Sequence, residues 1–275
     1  MVVAFYGYDD CLELASAHAR VVITPHGGAR ILLYALQAEG APNAIHLDDG
    51  TSGKFESGDD AAGEKPSGWK WVAGQPTGDP FGPTGGRFDV GPEFQASGPD
   101  MRQGGHPALF FGSWAAEQHG ALAATLTSPI CERTGLQITR QFALSAECAD
   151  LSVTQTCRNA GAAASLRVNH WGRTFVPGGG IALVPLPEDG YSRFPEKYVV
   201  YEWEPQGHII FQPGDEHIRV RENFVEIVPH VRGARQKIGF DSPIVWFGYL
   251  SPAGQLLVKR FEVDQGQLSP GRVCH

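Results

Sequence analysis

The chain has 275 residues, 42% of them hydrophobic and 19% charged, with a net charge of -8 dispersed along its length. That is enough apolar material for one large core, and without a basic stripe there is no electrostatic basis for binding nucleic acid. No stretch approaches the roughly 20 apolar residues that span a bilayer, and residues 1–10 lack a basic and apolar leader, so a cytoplasmic protein without membrane contact is expected.

Thirty-five glycines and twenty prolines leave little room for long helices, and short runs rich in β-branched and aromatic residues recur between them. Strands are expected at 12–15, 20–24, 29–36, 121–126, 136–144, 151–157, 166–171, 209–212, 218–221, 224–228, 244–250 and 256–263. The fold class is therefore all-β. Residues 54–103 break the pattern: they are dense in Gly, Pro and Asp but carry Trp69, Trp71, Phe81, Phe88 and Phe94. They read as loops and short strands packed over the mouth of a sheet. A second excursion, 175–193, begins with Pro177-Gly178-Gly179-Gly180 directly after the strand at 166–171. Loops on the rim of a rigid β scaffold are where ligand contacts gather. No linker separates two cores, so a single domain over 1–275 is expected. So many strands must close or stack to protect their edges, which leaves a barrel, a sandwich or a propeller.

Within the strand at 166–171, the two-residue period puts His170 on the face of Leu166 and Val168, with Arg167, Asn169 and Trp171 on the other. A half-buried imidazole suits proton transfer near neutral pH; it is equally a core histidine tied to a carbonyl. Two glycine-flanked turns, Thr84-Gly85-Gly86-Arg87 and Gly104-Gly105-His106-Pro107, each present one polar side chain where backbone can approach a ligand. The alternative for Arg87 is a surface turn residue, and for His106 a solvated loop residue.

Among the carboxylates, Glu226 alternates with Phe224 and Val228, and burial there would raise its pKa toward that of a useful base. Glu262 alternates with Arg260 and reads as an ion pair. Lys259 shares a face with Leu257 and Phe261, and Arg140 shares one with Leu136, Ile138, Phe142 and Leu144. A charge on an apolar face must be paired, line a cavity or snorkel, and Arg140 reads as snorkelling. Arg30 after Gly27-Gly28 and Glu93 after Gly91-Pro92 are further candidate ligand contacts.

Ten histidines include no His-x-His and no His-Glu-x-x-His, so neither a metal nor a cofactor is expected. Five cysteines without a C-x-x-C pair indicate reduced structural thiols.

Five segments in order carry a resemblance that no one of them carries alone. They are Val22-Ile23-Thr24-Pro25-His26-Gly27-Gly28-Ala29-Arg30-Ile31-Leu32, Gly85-Gly86-Arg87-Phe88 with Gly91-Pro92-Glu93, Gln236-Lys237-Ile238-Gly239-Phe240, Trp246-Phe247-Gly248-Tyr249-Leu250 and Leu257-Val258-Lys259-Arg260-Phe261. Together with Arg87, His106 and His170 in that order, they resemble the galactose mutarotase-like superfamily of aldose 1-epimerases, and most closely a branch of bacterial mutarotase-like proteins.

The resemblance implies a β-supersandwich of large antiparallel sheets with a sugar in an open concave cleft. It also implies ring opening by acid and base, with His170 as acid, His106 beside the ring oxygen and Arg87 donating to hydroxyls. Asn169, Trp171, Arg30, Glu93 and Lys259 would line the site. The epimerases take their base, a glutamate, from a strand near the C-terminus. Residues 269–275 match no such segment, so Glu226 is the substitute candidate for the base. A sugar or sugar derivative is the expected partner, with a homodimer left open. An epimerase-like isomerase, a non-catalytic carbohydrate-binding protein and a glycoside lyase or hydrolase all fit the same cleft.

One expectation is testable without structure. Thiol titration of the denatured, unreduced protein should count all five cysteines free, and a reproducible deficit of two would reveal a disulfide.

Overall fold

The segment from Leu136 to Leu144 shows how the pattern becomes architecture. Leu136, Ile138, Arg140, Phe142 and Leu144 are buried, and the residues between them are exposed or partly so, as the two-residue period requires. The computed structural model describes residues 1–49, 52–53, 70–72, 75–77, 84–91, 107–110, 112–132, 134–161, 168–188, 192, 194–201, 209–210, 216–229, 237–241, 244 and 246–261. The chain divides into two compact units, Met1–Val176 and Pro177–His275.

The first unit contains β1 (Val2–Phe5), β2 (Tyr8–Ala15), β3 (Ala19–Ile23), α1 (His26–Ala29), β4 (Ile31–Leu36), β5 (Lys70–Val72), β6 (Gln75–Thr77), β7 (Gly86–Gly91), α2 (Pro107–Phe110), β8 (Ala115–Gln118), β9 (Ala123–Thr127), β10 (Leu136–Leu144), β11 (Leu151–Asn159) and β12 (Asn169–Thr174). The second contains β13 (Ile181–Pro185), β14 (Tyr198–Tyr201), β15 (Ile209–Ile210), β16 (Ile218–Val220), β17 (Phe224–Ile227), β18 (Lys237–Phe240), β19 (Trp246–Leu250) and β20 (Leu256–Arg260). All strand pairings among the described residues are antiparallel, so the chain is all-β.

In the first unit a six-stranded sheet runs β1-β2-β3-β4-β7-β12 and a four-stranded sheet runs β11-β10-β9-β8, with β5 and β6 pairing separately. The two larger sheets share one core. Leu14, Val21, Ile23, Leu32, Phe88 and Val90 come from the first, Leu126, Leu136, Ile138 and Phe142 from the second, and Leu109 and Trp114 join them from α2 and the loop after it. In the second unit the order is β16-β17-β13-β19-β20 in one sheet and β15-β14-β18 in another. Val225, Ile218, Leu186 and Tyr198 are buried together there. The Tyr249 hydroxyl donates to the Pro177 carbonyl and accepts from the Gly180 N–H at 2.8 Å, which fastens the glycine-rich stretch 177–180.

Local chemistry explains where elements depart from expectation. A strand was expected from Ala29, but β4 begins at Ile31 because a left-handed turn precedes it. Gly27, Gly28 and Ala29 have φ of 59°, 81° and 54°. A Cβ on Gly28 would stand 2.8 Å from the carbonyl oxygens of Leu109 and Phe110. Ala29 pays about 1–2 kcal/mol for its left-handed conformation and is held there by complete burial. Ala115-Ala116-Glu117-Gln118 has little intrinsic strand tendency, and β8 exists because β9 pairs with it. No helix among the described residues is long and apolar enough to cross a membrane.

Cys11, Cys131, Cys148 and Cys157 are free thiols, and Cys274 lies outside the described residues. Burial pushes Cys11 and Cys157 up to about 11, which keeps both protonated and unreactive at neutral pH.

The core makes a direct prediction. Phe142, 1% exposed, bridges β10 to the other sheet's residues, so Phe142→Ala should lower unfolding free energy by about 3–5 kcal/mol in urea titration. A loss under about 1 kcal/mol would mean this ring is not packed as described.

Candidate functional site

Two turns of the first unit meet around buried arginines. Gly85 has φ of 79°, and a Cβ there would approach the Ile31 carbonyl to 2.8 Å, so only glycine fits. Thr84 before it is fully buried; its hydroxyl accepts from the Asp48 N–H at 3.1 Å. The Thr84 carbonyl accepts from Arg30 Nη1 at 2.9 Å, while Arg30 Nε donates to the Gly27 carbonyl at 2.8 Å. Arg140 enters from β10 and donates through Nη1 to the carbonyls of Ala29 and Gly86, with its guanidinium 4.9 Å from the centre of the Phe142 ring. Each hydrogen bond a buried cation donates offsets part of its desolvation, and a guanidinium offers several donors in fixed directions.

Both arginines therefore differ from the sequence expectation. Arg30, a candidate ligand contact, has 0% exposure and uses its guanidinium to tie the 27–30 turn to the 84–86 turn. Arg140, expected to snorkel, is 3% exposed and reinforces the same junction. Snorkelling fails at this position because Arg140 lies at the middle of β10, too far from either end for its head group to reach water.

The junction leads directly into β7 and its neighbour β12. Their register pairs His170 with Val90, Trp171 with Asp89, Gly172 with Phe88 and Arg173 with Arg87. Directly opposed residues share a sheet face and successive residues alternate. Positions 169, 171 and 173 thus share the face of Arg87, whereas His170 shares the face of Phe88 and Val90. Arg87 is 6% exposed. His170 lies edge-on to Phe88, with ring centroids 5.2 Å apart, and is exposed.

The expected phase of His170, toward the core side with Val168, is what the register delivers; the expected burial is not. Among the described residues β12 is the outermost strand of its sheet, with no further strand beside it to shield the ring. The register also separates His170 from Arg87, which the resemblance had grouped. His106 and Glu93 lie outside the described residues.

The second unit holds the other two candidates. Val225, not Glu226, is the fully buried residue of β17, so the strand sits one residue out of phase with the expected inward face. Glu226 accepts from Arg221 Nε at 3.1 Å and Nη2 at 2.9 Å. Those hydrogen bonds, with the attraction of Arg221 and Arg219, hold its carboxyl below the usual carboxylate range. A depressed pKa makes Glu226 a weaker base, which removes the physical reason for assigning it that role. Lys259 stands over the Phe247 ring, Nζ 5.5 Å from its centre, in a cation–π contact on adjacent strands.

A further polar cluster was not legible in the sequence. His26 opens α1, and its Nδ1 lies 2.8 Å from Ser113 Oγ while its Nε2 lies 2.9 Å from both carboxylate oxygens of Asp10 on β2. Tyr8 stacks on the imidazole with centroids 5.1 Å apart. Residues 10, 26 and 113 have no sequence spacing that signals their meeting. The only local cue is the Pro25-His26-Gly27-Gly28 turn. No group of three or more His, Cys, Asp or Glu side chains among the described residues could hold a metal ion.

Compared with protein-family models, with curated proteins and with solved structures, the chain matches none.

The Arg221–Glu226 pair can be tested by titration. Because the folded pKa of Glu226 is depressed, its stabilising contribution is present above the unfolded carboxylate pKa of about 4.3 and is lost as pH falls through the folded value. Carbon-detected NMR should find the Glu226 midpoint below that of a free glutamate, and Arg221→Ala should return it toward the free value. Identical midpoints in the two proteins would show that the pair does not form in solution.

Proposed function

We propose that this protein binds a carbohydrate on the Arg87 face of the β7–β12 strand pair, within a mutarotase-like β-supersandwich whose concave side holds the ligand. The observation that carries the reading is the register Arg87↔Arg173, with positions 169 and 171 in the same phase. Strand positions 87, 169 and 171, which the resemblance assigns to ligand binding, share this phase, and that supports the reading. The antiparallel all-β architecture and the five ordered sequence segments support the same reading.

Arg87 and Arg173 occupy directly opposed positions on the two strands. Arginine meets a carboxylate through paired parallel hydrogen bonds, a geometry a neutral hydroxyl does not match. The favoured ligand is therefore an acidic sugar over a neutral one.

The geometry favours binding over isomerisation. Ring opening needs an acid and a base on opposite sides of the sugar. His170 is on the other face of the ribbon from Arg87, and Glu226 is committed to Arg221.

Calorimetry with glucose, galactose and their uronic acids tests the proposal. The native protein should bind a uronic acid more tightly than its neutral parent. Loss of a charge-assisted pair in Arg87→Gln or Arg173→Gln should weaken binding about 10- to 150-fold, each variant first checked for a native thermal melt. His170→Asn should leave affinity unchanged, and saturation-transfer NMR should detect no accelerated anomer exchange. Absence of binding to all four sugars would sink the carbohydrate reading. Acceleration that disappears in His170→Asn would establish the isomerase instead.

A further inference from the structure

The Asp10–His26–Ser113 cluster has the geometry of an activated nucleophile. A carboxylate only accepts hydrogen bonds, so contact with Asp10 requires the proton of a neutral His26 ring to sit on Nε2. Nδ1 is then left with its lone pair 2.8 Å from Ser113 Oγ, positioned to accept the hydroxyl proton. Nucleophile and base lie within hydrogen-bond reach, and a third group orients the base, which is the arrangement that makes a serine hydroxyl reactive. The two ring nitrogens exchange their usual partners here. Either nitrogen of imidazole can act as the base once the other is held, so the relay is chemically equivalent.

The scaffold holds these groups from both sides. Trp114 N–H donates to the Pro25 carbonyl at 2.9 Å and Gly28 N–H donates to the Gly112 carbonyl at 3.1 Å, so backbone bonds bracket Ser113 against the His26 turn. The His26 N–H donates to Thr24 Oγ1 at 3.2 Å, and Tyr8 covers one face of the ring. The left-handed run at Gly27-Gly28-Ala29 turns the chain immediately after His26 and keeps the imidazole at the surface. Side-chain exposure is 20% for His26 and 55% for Asp10, and Ser113 is part-buried, so the cluster opens to solvent. Backbone strain, a positioned base and solvent access together are features of reactive sites.

We propose that Ser113 is the nucleophile of an acyl-ester hydrolysing site, with His26 as general base through Nδ1 and Asp10 as the orienting carboxylate. Ser113 Oγ bonds to the ester carbonyl carbon as its proton passes to His26 Nδ1. Collapse of the adduct breaks the ester C–O bond, and the leaving alkoxide takes that proton and departs as the alcohol. Water then attacks the acyl-Ser113, giving a proton to Nδ1. Release of the carboxylic acid returns the proton to Ser113 Oγ. Asp10 stabilises the imidazolium formed in each half. Water is the only co-reactant, and the proposal does not depend on the carbohydrate reading.

The test uses the full chain and a fluorophosphonate probe, which forms an O–P bond with an activated serine as fluoride leaves. Peptide mass spectrometry should locate the adduct at Ser113 in the native protein and not in the heat-denatured one. The native protein should also hydrolyse p-nitrophenyl acetate with a burst of one nitrophenolate per chain, lost in Ser113→Ala. Both His26→Asn and Asp10→Asn should slow labelling, the former by about 100-fold or more. Asp10 is the more exposed partner, so Asp10→Asn decides the matter if His26→Asn loses its cooperative melt. Labelling of Ser113 no faster than of other serines, or unchanged in a folded Asp10→Asn, would overturn the assignment. Equal hydrolysis by Ser113→Ala and the native chain would do the same.

Discussion

The first unit is organised around two arginines that have been taken out of water. Arg30 reaches the carbonyls of Gly27 and Thr84, and Arg140 reaches those of Ala29 and Gly86, which ties the 27–30 turn to the 84–86 turn at the start of β7. A carbonyl buried without a donor costs free energy comparable to a lost hydrogen bond, and so does a buried guanidinium without acceptors. The hydrogen bonds between them offset part of both costs. The result is a junction in which irregular backbone can pass through the interior between the two large sheets, where a loop would otherwise be excluded.

Both candidate sites depend on that junction. The 26–29 turn has His26 at its start and is followed by Arg30, so the bonds that fix the guanidinium also fix the origin of the imidazole. The 84–86 turn feeds β7, whose Phe88 and Val90 complete the apolar layer while Arg87 lies in the opposite phase of the strand. Strain follows the same logic. Ala29 holds a left-handed φ of 54° because complete burial and the Arg140 contact to its carbonyl leave no alternative.

The second unit uses simpler means. Among its described residues, Val225, Ile218, Leu186 and Tyr198 are buried together, and Glu226 and Arg221 pair at the surface. Glu226 with Arg221 and Lys259 over Phe247 are ordinary solutions for charges on strands with one wet face.

Period and punctuation in the sequence were enough for the all-β class and the strand at 136–144, because these depend on residues within a few positions of one another. They also placed His170 in its correct phase along the strand. Its exposure depended on β12 being outermost, which is a property of sheet order and not of local pattern. The same limit applies to Glu226, where alternation gave two possible faces and only packing of Val225 chose between them. Arg140 read as a surface cation because apolar periodicity cannot reveal carbonyls arriving from Ala29 and Gly86, residues remote in the chain. The Asp10–His26–Ser113 cluster is the extreme case. Local propensity determines what each segment can become, while long-range contact decides which side chains meet, and hydrogen bonds of about 3 Å form only after the core has brought the segments together.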